Sequence, residues 1–232
     1  MTKEFPHNIK AALIDMDGTL YDSMRAHTAA WHRMMNEIDI DIPRDEFYLY
    51  EGMTGAATIN LIFSRELGRL ADEDEIRELY GRKTRYFREL DEGTPMPGAT
   101  EMLAALRRAS IECIVVTGSG QQSLLDKLSA SFPGVFSQDK MVTARDVTKG
   151  KPDPEPYLKA MQRAGVDPDE CIVIENAPLG VRSGAASGAF TIGVLTGPVP
   201  SDEMIKAGAD MIFDSMPDLA SFLSEKLRAG FK

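Results

Sequence analysis

The chain has 232 residues, of which 43% are hydrophobic, and its 26 lysine and arginine residues against 36 aspartate and glutamate residues give a net charge of −10. This acidic balance argues against nucleic-acid binding, which depends on a basic surface. The first residues do not resemble a signal peptide and no apolar run approaches the ~18 to 20 residues that span a bilayer, so we expect a soluble, cytoplasmic protein without a membrane partner.

The first predicted element is a buried strand over residues 10 to 15, and it ends in the stretch Asp15-Met-Asp17-Gly-Thr. Aspartate is a poor strand former, and two like charges one residue apart repel each other. A bound cation would offset this repulsion and would leave one aspartate facing an electrophilic phosphorus.

Residues 23 to 95 contain no convincing strand and predict amphipathic helices instead. Two apolar faces at helical spacing are Trp31, Met35 and Ile38 in the first helix and Ile76, Tyr80, Phe87 and Leu90 in a later one. The Pro- and Gly-containing residues 92 to 98 suit a linker. We therefore predict a helical cap domain, residues 23–95, inserted into a core domain of residues 1–22 and 96–232.

From residue 97 onward, short apolar runs alternate with helical patterns, which predicts a parallel sheet with helices on both faces. The predicted strands are residues 111–119, 171–176, 190–197 and 210–215, and the predicted helices are residues 99–110, 121–132 and 154–165. Cys113 and Cys171 lie in the strand-like runs. We interpret them as buried apolar residues of a reducing compartment, and not as a disulfide or a zinc pair.

Three predicted strands end in polar residues. They are Asp15 and Asp17, then Thr117 and Ser119, then Glu175 and Asn176. Such residues often do no more than terminate a strand, but three such ends together with Lys151 are poorly explained by chance. Ligands of open α/β sheets bind beyond the carboxyl ends of the strands. Carboxylate, amide and hydroxyl oxygens suit Mg²⁺ and not zinc, and Thr117, Ser119 and Lys151 could hold phosphoryl oxygens.

Four motifs together resemble the haloacid dehalogenase-like phosphatases and phosphomutases. In chain order they are "DMDGTLYDS", "VVTGS", "KPDPEPY" and "VIENAPLGV". The resemblance covers essentially the whole chain, because the helical insertion fits a cap of the β-phosphoglucomutase type. It implies a Rossmann-like three-layer α/β/α core with a helical cap inserted after the first strand.

The resemblance also implies roles for the residues of the motifs. Asp15 is then the nucleophile that becomes an aspartyl phosphate, and Asp17 is the general acid and base, with its backbone carbonyl on the metal. Asp15, Asp17, Glu175 and Asn176 are the expected Mg²⁺ ligands or their supporting residues. Thr117 and Lys151 are expected to assist catalysis, and Gly18, Gly118 and Ser119 to contact the substrate.

Two cap positions and one loop position bear on the substrate. His27, in "HTAAW", matches a cap motif that couples the cap to Asp17, although it could also be a plain surface histidine. Gly55 stands where sugar-phosphate mutases carry an arginine, and Gly120 stands where they carry a lysine. Both departures argue against a phosphomutase.

The stretch "YEGMTGAAT" with Glu51 and the stretch "ELYGRKTRYF" with Tyr80 and Lys83 resemble the inorganic pyrophosphatase branch of the family. By this resemblance Tyr80 and Lys83 bind the leaving phosphate, and Glu51 reaches the metal when the cap closes. A lysine on an apolar stripe can equally snorkel at its edge. Asn176 replaces an acidic residue of many relatives, which removes one negative charge from a site for a polyanion.

We therefore predict a Mg²⁺-dependent phosphohydrolase, an inorganic pyrophosphatase in the first place, that acts as a monomer on a small phosphorylated substrate. The alternatives are a sugar-phosphate phosphatase or a β-phosphoglucomutase-like mutase. A receiver-type signalling module would have no use for the helical insertion. A dehalogenase needs no metal and would not keep Asp17 and Asn176.

Overall fold

The computed structural model describes residues 4–120 and 124–229. Its centre is a parallel sheet in which the strand order is β3-β2-β1-β4-β5-β6. The strands are β1 (Ala11–Ile14), β2 (Glu112–Val116), β3 (Met141–Val142), β4 (Cys171–Glu175), β5 (Phe190–Val194) and β6 (Met211–Phe213). Strand β1 pairs in parallel with β2 on one side and with β4 on the other. The predicted α/β fold class is confirmed.

Helices cover both faces of this sheet. They are α4 (Ala99–Arg108), α5 (Leu124–Ser131), α6 (Glu155–Ala164), α7 (Pro178–Ala186), α8 (Ser201–Ala207) and α9 (Met216–Ala229). Alternate strand residues point to opposite faces: Ala12 and Ile14 pack into one apolar cluster with α4 and α9, whereas Ala11 and Leu13 pack into another with α6. The core therefore has the three predicted layers.

The chain between β1 and α4 forms a helical block with its own apolar cluster. The block consists of α1 (Met24–Asn36), a 3-10 helix (Arg44–Tyr50), α2 (Gly55–Leu67) and α3 (Glu73–Leu90). Trp31 and Met35 of α1 are buried in the cluster and Ile38 packs against it. Leu90 was expected on the buried face of α3, but it is 45% exposed, because it lies in the last turn of the helix, beyond the cluster. We keep the division at residues 23–95 as our proposal for the cap.

Two short segments connect this block to the core, and they pair with each other. The backbone N–H of Asp22 donates to the carbonyl of Thr94 at 3.0 Å, and that of Met96 donates to the carbonyl of Leu20 at 2.9 Å. Tyr21 and Pro95 form an antiparallel bridge between the segments. The block therefore leaves and re-enters the core at one place.

The structure corrects the predicted elements mainly at their ends. The strands predicted to reach residues 119, 197 and 215 end at Val116, Val194 and Phe213, because the polar and glycine residues that follow form loops. Strand β3 was not predicted, because its two residues carry no periodic pattern. Of the helix predicted over residues 121–132, residues 121–123 lie outside the described residues. Cys113 and Cys171 are buried, as predicted.

None of the helices in the described residues is long and apolar enough to cross a membrane.

Candidate active site

The polar strand ends meet at the carboxyl edge of the sheet. Ile14 of β1 is in register with Val115 of β2 and with Ile174 of β4. Asp15, the next residue, donates its backbone N–H to the carbonyl of Ile174 at 3.0 Å. The register therefore places the residues after β1, β2 and β4 side by side, as the sequence predicts for an open α/β sheet.

Asp15 forms a buried ion cluster with Lys151 and Glu175. The Nζ of Lys151 lies 2.5 Å from Oδ1 of Asp15 and 2.6 Å from Oε1 of Glu175, and these side chains are between 1% and 6% exposed. Lys151 also donates to the carbonyl of Val116 at 3.1 Å. The Oδ2 of Asp15 is buried and has no hydrogen-bond partner. One oxygen of this carboxylate is thus paired, while the other has no hydrogen-bond partner.

Burial disfavours the charged form of each group in this cluster, so it raises the pKa of a carboxyl group and lowers the pKa of an ammonium group. Burial, together with the neighbouring carboxylates of Glu175 and Asp17, raises the pKa of Asp15, although Lys151 opposes the shift. Burial alone would lower the pKa of Lys151, but its ion pairs with Asp15 and Glu175 outweigh burial and raise it. Lys151 therefore stays protonated beside Asp15.

Asp17 is held by two residues of the cap side. The hydroxyl of Ser23 donates to Oδ1 of Asp17 at 2.6 Å. The Nε2 of His27 lies 3.1 Å from the same oxygen, which is an ion-pair distance without hydrogen-bond alignment. Burial would raise the pKa of Asp17, but His27, Ser23 and Lys83 outweigh it and lower the pKa. His27 thus lies where the family motif predicts a link between cap and core.

Lys83 extends this contact further into the cap. Its Nζ lies 2.6 Å from Nδ1 of His27, and its side chain is buried, so it does not snorkel at the helix edge. Burial lowers the pKa of Lys83 to about 8, against the opposing charge of Asp17. Burial and then Lys83 lower the pKa of His27. The ring of Phe87 stacks on the ring of His27 at 4.0 Å between centroids.

Glu51 reaches from the cap into the core. Its Oε1 accepts a hydrogen bond from Nδ2 of Asn176 at 2.9 Å, and both side chains are buried. Burial and the charge of Asp15 raise the pKa of Glu51 well above its usual value. Gly18 has φ +84° and lies so close that an added Cβ would be 1.9 Å from Nδ2 of Asn176. Only glycine fits the turn that brings these groups together.

The loop after β2 faces the cap. The backbone N–H of Ser119 donates to Oγ1 of Thr117 at 3.1 Å, while the Ser119 hydroxyl is buried without a hydrogen-bond partner. A Cβ at Gly118 would lie 2.9 Å from the carbonyl oxygen of Gly52 and 3.0 Å from that of Met53. The cap loop that carries Glu51 therefore rests directly on this loop of the core.

Tyr80 fills the space next to Gly55. A Cβ at Gly55 would lie 2.2 Å from Cδ2 of the Tyr80 ring. An arginine at position 55 thus has no room while Tyr80 keeps this position. Burial, with the charge of Asp17, raises the pKa of Tyr80, so its hydroxyl remains a hydrogen-bond donor.

A cavity between cap and core collects most of the predicted site residues. Those that line it are Asp15, Asp17, His27, Glu51, Tyr80, Lys83, Thr117, Gly118 and Ser119. The other four lie outside the lining: Gly18, Lys151 and Asn176 lie next to residues that line it, and Glu175 is paired with Lys151. The cavity has a volume of about 70 Å³, which is space for a few water molecules.

Sequence reasoning missed three residues that support the site. Ser23 donates to Asp17, Tyr157 donates to Oε1 of Glu175 at 2.5 Å, and Thr196 donates to the carbonyl of Gly18 at 2.6 Å. Ser23 and Tyr157 stand inside the motifs "DMDGTLYDS" and "KPDPEPY", so their hydroxyls were visible as candidates. Thr196 carried no local signal, because only the fold brings it to residue 18.

Comparisons with known proteins agree with this geometry. A model of the haloacid dehalogenase-like hydrolase family matches residues 9–188. Hexitol phosphatase A of Escherichia coli is 30% identical over 211 residues, which are 90% of this chain and 93% of that protein. A protein named "Putative pyrophosphatase PpaX", from Clostridium perfringens, is 28% identical over 225 residues, which are 95% of this chain and 100% of that protein.

A solved structure is also similar over almost the whole chain. It is named "Putative beta-phosphoglucomutase", from Bacteroides vulgatus, and matches with a TM-score of 0.92 and 46% identity over 98% of this chain and 92% of that one. The chain therefore belongs to the haloacid dehalogenase-like hydrolases, in the β-phosphoglucomutase-like subfamily, and is a phosphohydrolase.

Proposed function

We propose that Asp15 is the nucleophile and that its Oδ2 attacks the phosphorus of the substrate. The observation that carries this proposal is the asymmetry of the carboxylate, because Oδ1 is paired with Lys151 while Oδ2 is buried without a partner in a residue that lines the cavity. Attack breaks the bond between phosphorus and the leaving oxygen and forms an aspartyl phosphate. Water then releases phosphate from Asp15.

Asp17 is the proposed general acid and base. It lines the same cavity two residues after Asp15. In the second step its carboxylate, which the lowered pKa keeps ionised, takes a proton from the attacking water, and it gives that proton to the leaving oxygen in the first step of the next turnover. The Ser23 hydroxyl and the His27 ring, both on Oδ1, orient the Asp17 carboxylate. Thr117, Ser119 and the backbone of Gly118 line the part of the cavity where phosphoryl oxygens would bind.

The donor groups around Asp15 fit Mg²⁺. The described residues hold no cluster of three or more His, Cys, Asp or Glu side chains arranged to bind a metal. A hard cation can also use carbonyl and amide oxygens, and the Asp15 carboxylate, the backbone carbonyl of Asp17 and the side-chain amide oxygen of Asn176 would be its ligands, with Glu51 beside them. Burial and then neighbouring carboxylates raise the pKa values of Asp15 and Glu51, and a cation would offset the repulsion between these carboxylates. Mg²⁺ would supply charge neutralisation for the phosphoryl group.

Pyrophosphate is the substrate that we propose. The cap helices α1 and α3 contribute Lys83, Tyr80 and His27 to the cavity lining, and their ammonium, hydroxyl and imidazole groups suit a small, highly charged leaving phosphate. The Tyr80 ring fills the space beside Gly55, which leaves no room there for a side chain to grip a second phosphate. The similarity to the Clostridium perfringens protein supports the same substrate.

A sugar-phosphate phosphatase or phosphomutase is the second candidate. The cavity is also lined by Met24, Trp31, Phe47 and Met53, which could pack against a carbon skeleton. The names of the Escherichia coli and Bacteroides vulgatus relatives point to such substrates. A comparison of substrates can therefore separate the two candidates.

The decisive experiment compares kcat/KM for pyrophosphate, hexose phosphates and an activated aryl phosphate, with Mg²⁺ and with a chelator. We expect pyrophosphate to give the highest kcat/KM and the chelator to abolish turnover. The variants Lys83→Ala and Glu51→Ala should lower kcat/KM for pyrophosphate much more than for the aryl phosphate. Equal losses on both substrates would mean that these residues only hold the cap in shape, and a higher kcat/KM for a hexose phosphate would establish the second candidate.

A further inference from the structure

Lys127 of α5 joins the core to the carboxyl end of the cap helix α3. Its Nζ lies 2.6 Å from Oδ2 of Asp91, and the two side chains are 24% and 11% exposed. The same ammonium group lies 4.2 Å from the ring centroid of Tyr21 and 5.8 Å from that of Phe87. The hydroxyl of Tyr21 donates to the backbone carbonyl of Lys127 at 3.0 Å. Lys127 thus contacts both the segment that leads from the core into the cap and α3, the last helix of the cap.

Asp91 marks the end of α3. Its backbone N–H donates to the carbonyl of Phe87 at 2.8 Å, so its position and that of the last helical turn are tied together. A cation near the carboxyl end of a helix also interacts favourably with the helix dipole. The ion pair with Lys127 therefore fixes where the last turn of α3 lies relative to α5.

The last turns of α3 carry two residues that contact His27 of α1, and His27 in turn lies beside Asp17, the proposed general acid. The Phe87 ring stacks on His27 at 4.0 Å, and Lys83, one turn earlier, lies 2.6 Å from Nδ1 of His27. The other ring nitrogen of His27 lies 3.1 Å from Asp17. A continuous series of contacts thus runs from Lys127 through α3 to Asp17.

We propose that Lys127 is a positioning residue that holds the end of α3. It thereby keeps Phe87 and Lys83, and the His27 ring that they contact, in place beside Asp17. This inference rests on the proposed function, because Lys127 affects catalysis only if Asp17 and Lys83 have the roles proposed above. An ion pair that merely joins two surfaces would contribute little to stability and nothing to the choice between substrates. Loss of a positioning residue lowers kcat/KM most for the substrates whose reaction depends most on the residues that it positions.

The test uses Lys127→Met, which keeps the length and packing over Tyr21 but removes the charge. We expect kcat/KM for pyrophosphate to fall about tenfold, while kcat/KM for an activated aryl phosphate falls no more than about twofold. Lys127→Arg, which can still pair with Asp91, should restore most of the loss. Adding Asp91→Asn to Lys127→Met should cause little further loss, because both changes break one interaction.

The matched control is Lys140→Met. Lys140 forms a lysine–carboxylate pair with Glu112 at 3.4 Å within the core, away from the cavity, and its loss should leave both substrates unchanged. Equal losses on pyrophosphate and the aryl phosphate in Lys127→Met, or a lower Tm with an unchanged ratio between them, would overturn the inference. If the wild type fails to hydrolyse pyrophosphate, the proposed substrate is wrong, and Lys127 is then tested by the ratio between an alkyl phosphate, which needs Asp17 as acid, and the aryl phosphate.

Discussion

Replacing Gly118 by alanine should slow turnover by keeping the cap from closing. The added Cβ would lie 2.9 Å from the carbonyl oxygen of Gly52 and 3.0 Å from that of Met53, whereas ordinary contact begins at 3.4 Å. Both oxygens belong to the backbone, so no side chain can rotate out of the way. The loop that carries Glu51 would have to withdraw by about 0.5 Å, the difference between 3.4 and 2.9 Å.

The size of the effect follows from the cost of overpacking, which is about 1 to 3 kcal/mol for an added methyl group in a tight contact. Because substrate must enter, we infer that the cap opens and closes, and this cost then falls on the closed arrangement alone. Since each 1.36 kcal/mol is tenfold in rate, kcat/KM should fall roughly 5- to 150-fold. The Tm should change little, because an open cap relieves the contact.

The matched control is Gly120→Ala in the same loop. A Cβ at this position would meet only ordinary contacts, 3.7 Å to the Arg145 side chain and 3.8 Å to Ala144. Steady-state kinetics and thermal unfolding of the two variants would separate closure from stability. Similar kcat/KM values for both variants, or a lower Tm for Gly118→Ala with unchanged kcat/KM, would refute the reasoning.

Three further predictions concern the reacting groups. Asp15→Asn should abolish turnover with the fold intact by circular dichroism, because an amide cannot accept the phosphoryl group; near-normal phosphate release would contradict the mechanism. Asp17→Ala should lose roughly 10²- to 10⁴-fold, with a smaller loss for an activated aryl phosphate than for an alkyl phosphate, and equal losses would exclude Asp17 as proton donor. The pKa of Lys83 is lowered to about 8 by burial, so its charge disappears as pH rises through that value and kcat/KM for pyrophosphate should fall there. Lys83→Arg stays charged and should lack this fall; a retained fall would assign it to another group.

The central part of the site could be predicted because its residues follow strands directly. Asp15, Thr117 and Glu175 each end or follow an apolar run, and the parallel order of the strands is enough to bring them to one edge. Lys151 could be predicted from its motif, but its pairing with two carboxylates is a tertiary contact.

The cap part of the site could not be derived from periodicity. The helical spacing of Lys83 suits a buried position and an edge position equally well, and only the packing of α1 against α3 shows that its ammonium group is buried beside His27. The contact between Ser23 and Asp17 and that between Tyr157 and Glu175 depend on how loops and helices pack, not on local spacing. The family resemblance named Lys83 and His27 as candidates, and their site roles stay predictions.

The pairing of the two cap connections has a consequence for how this chain tolerates change. Because Tyr21 and Pro95 lie opposite each other, the ends of the insertion are one strand spacing apart. The insertion is therefore joined to the core at two neighbouring points, whatever its length. We therefore expect that shortening, lengthening or exchanging the insertion leaves the register of β1 with β2 intact. Substrate preference could then diverge by replacing one contiguous stretch of sequence, while the residues that we propose for phosphoryl transfer at the sheet edge stay as they are.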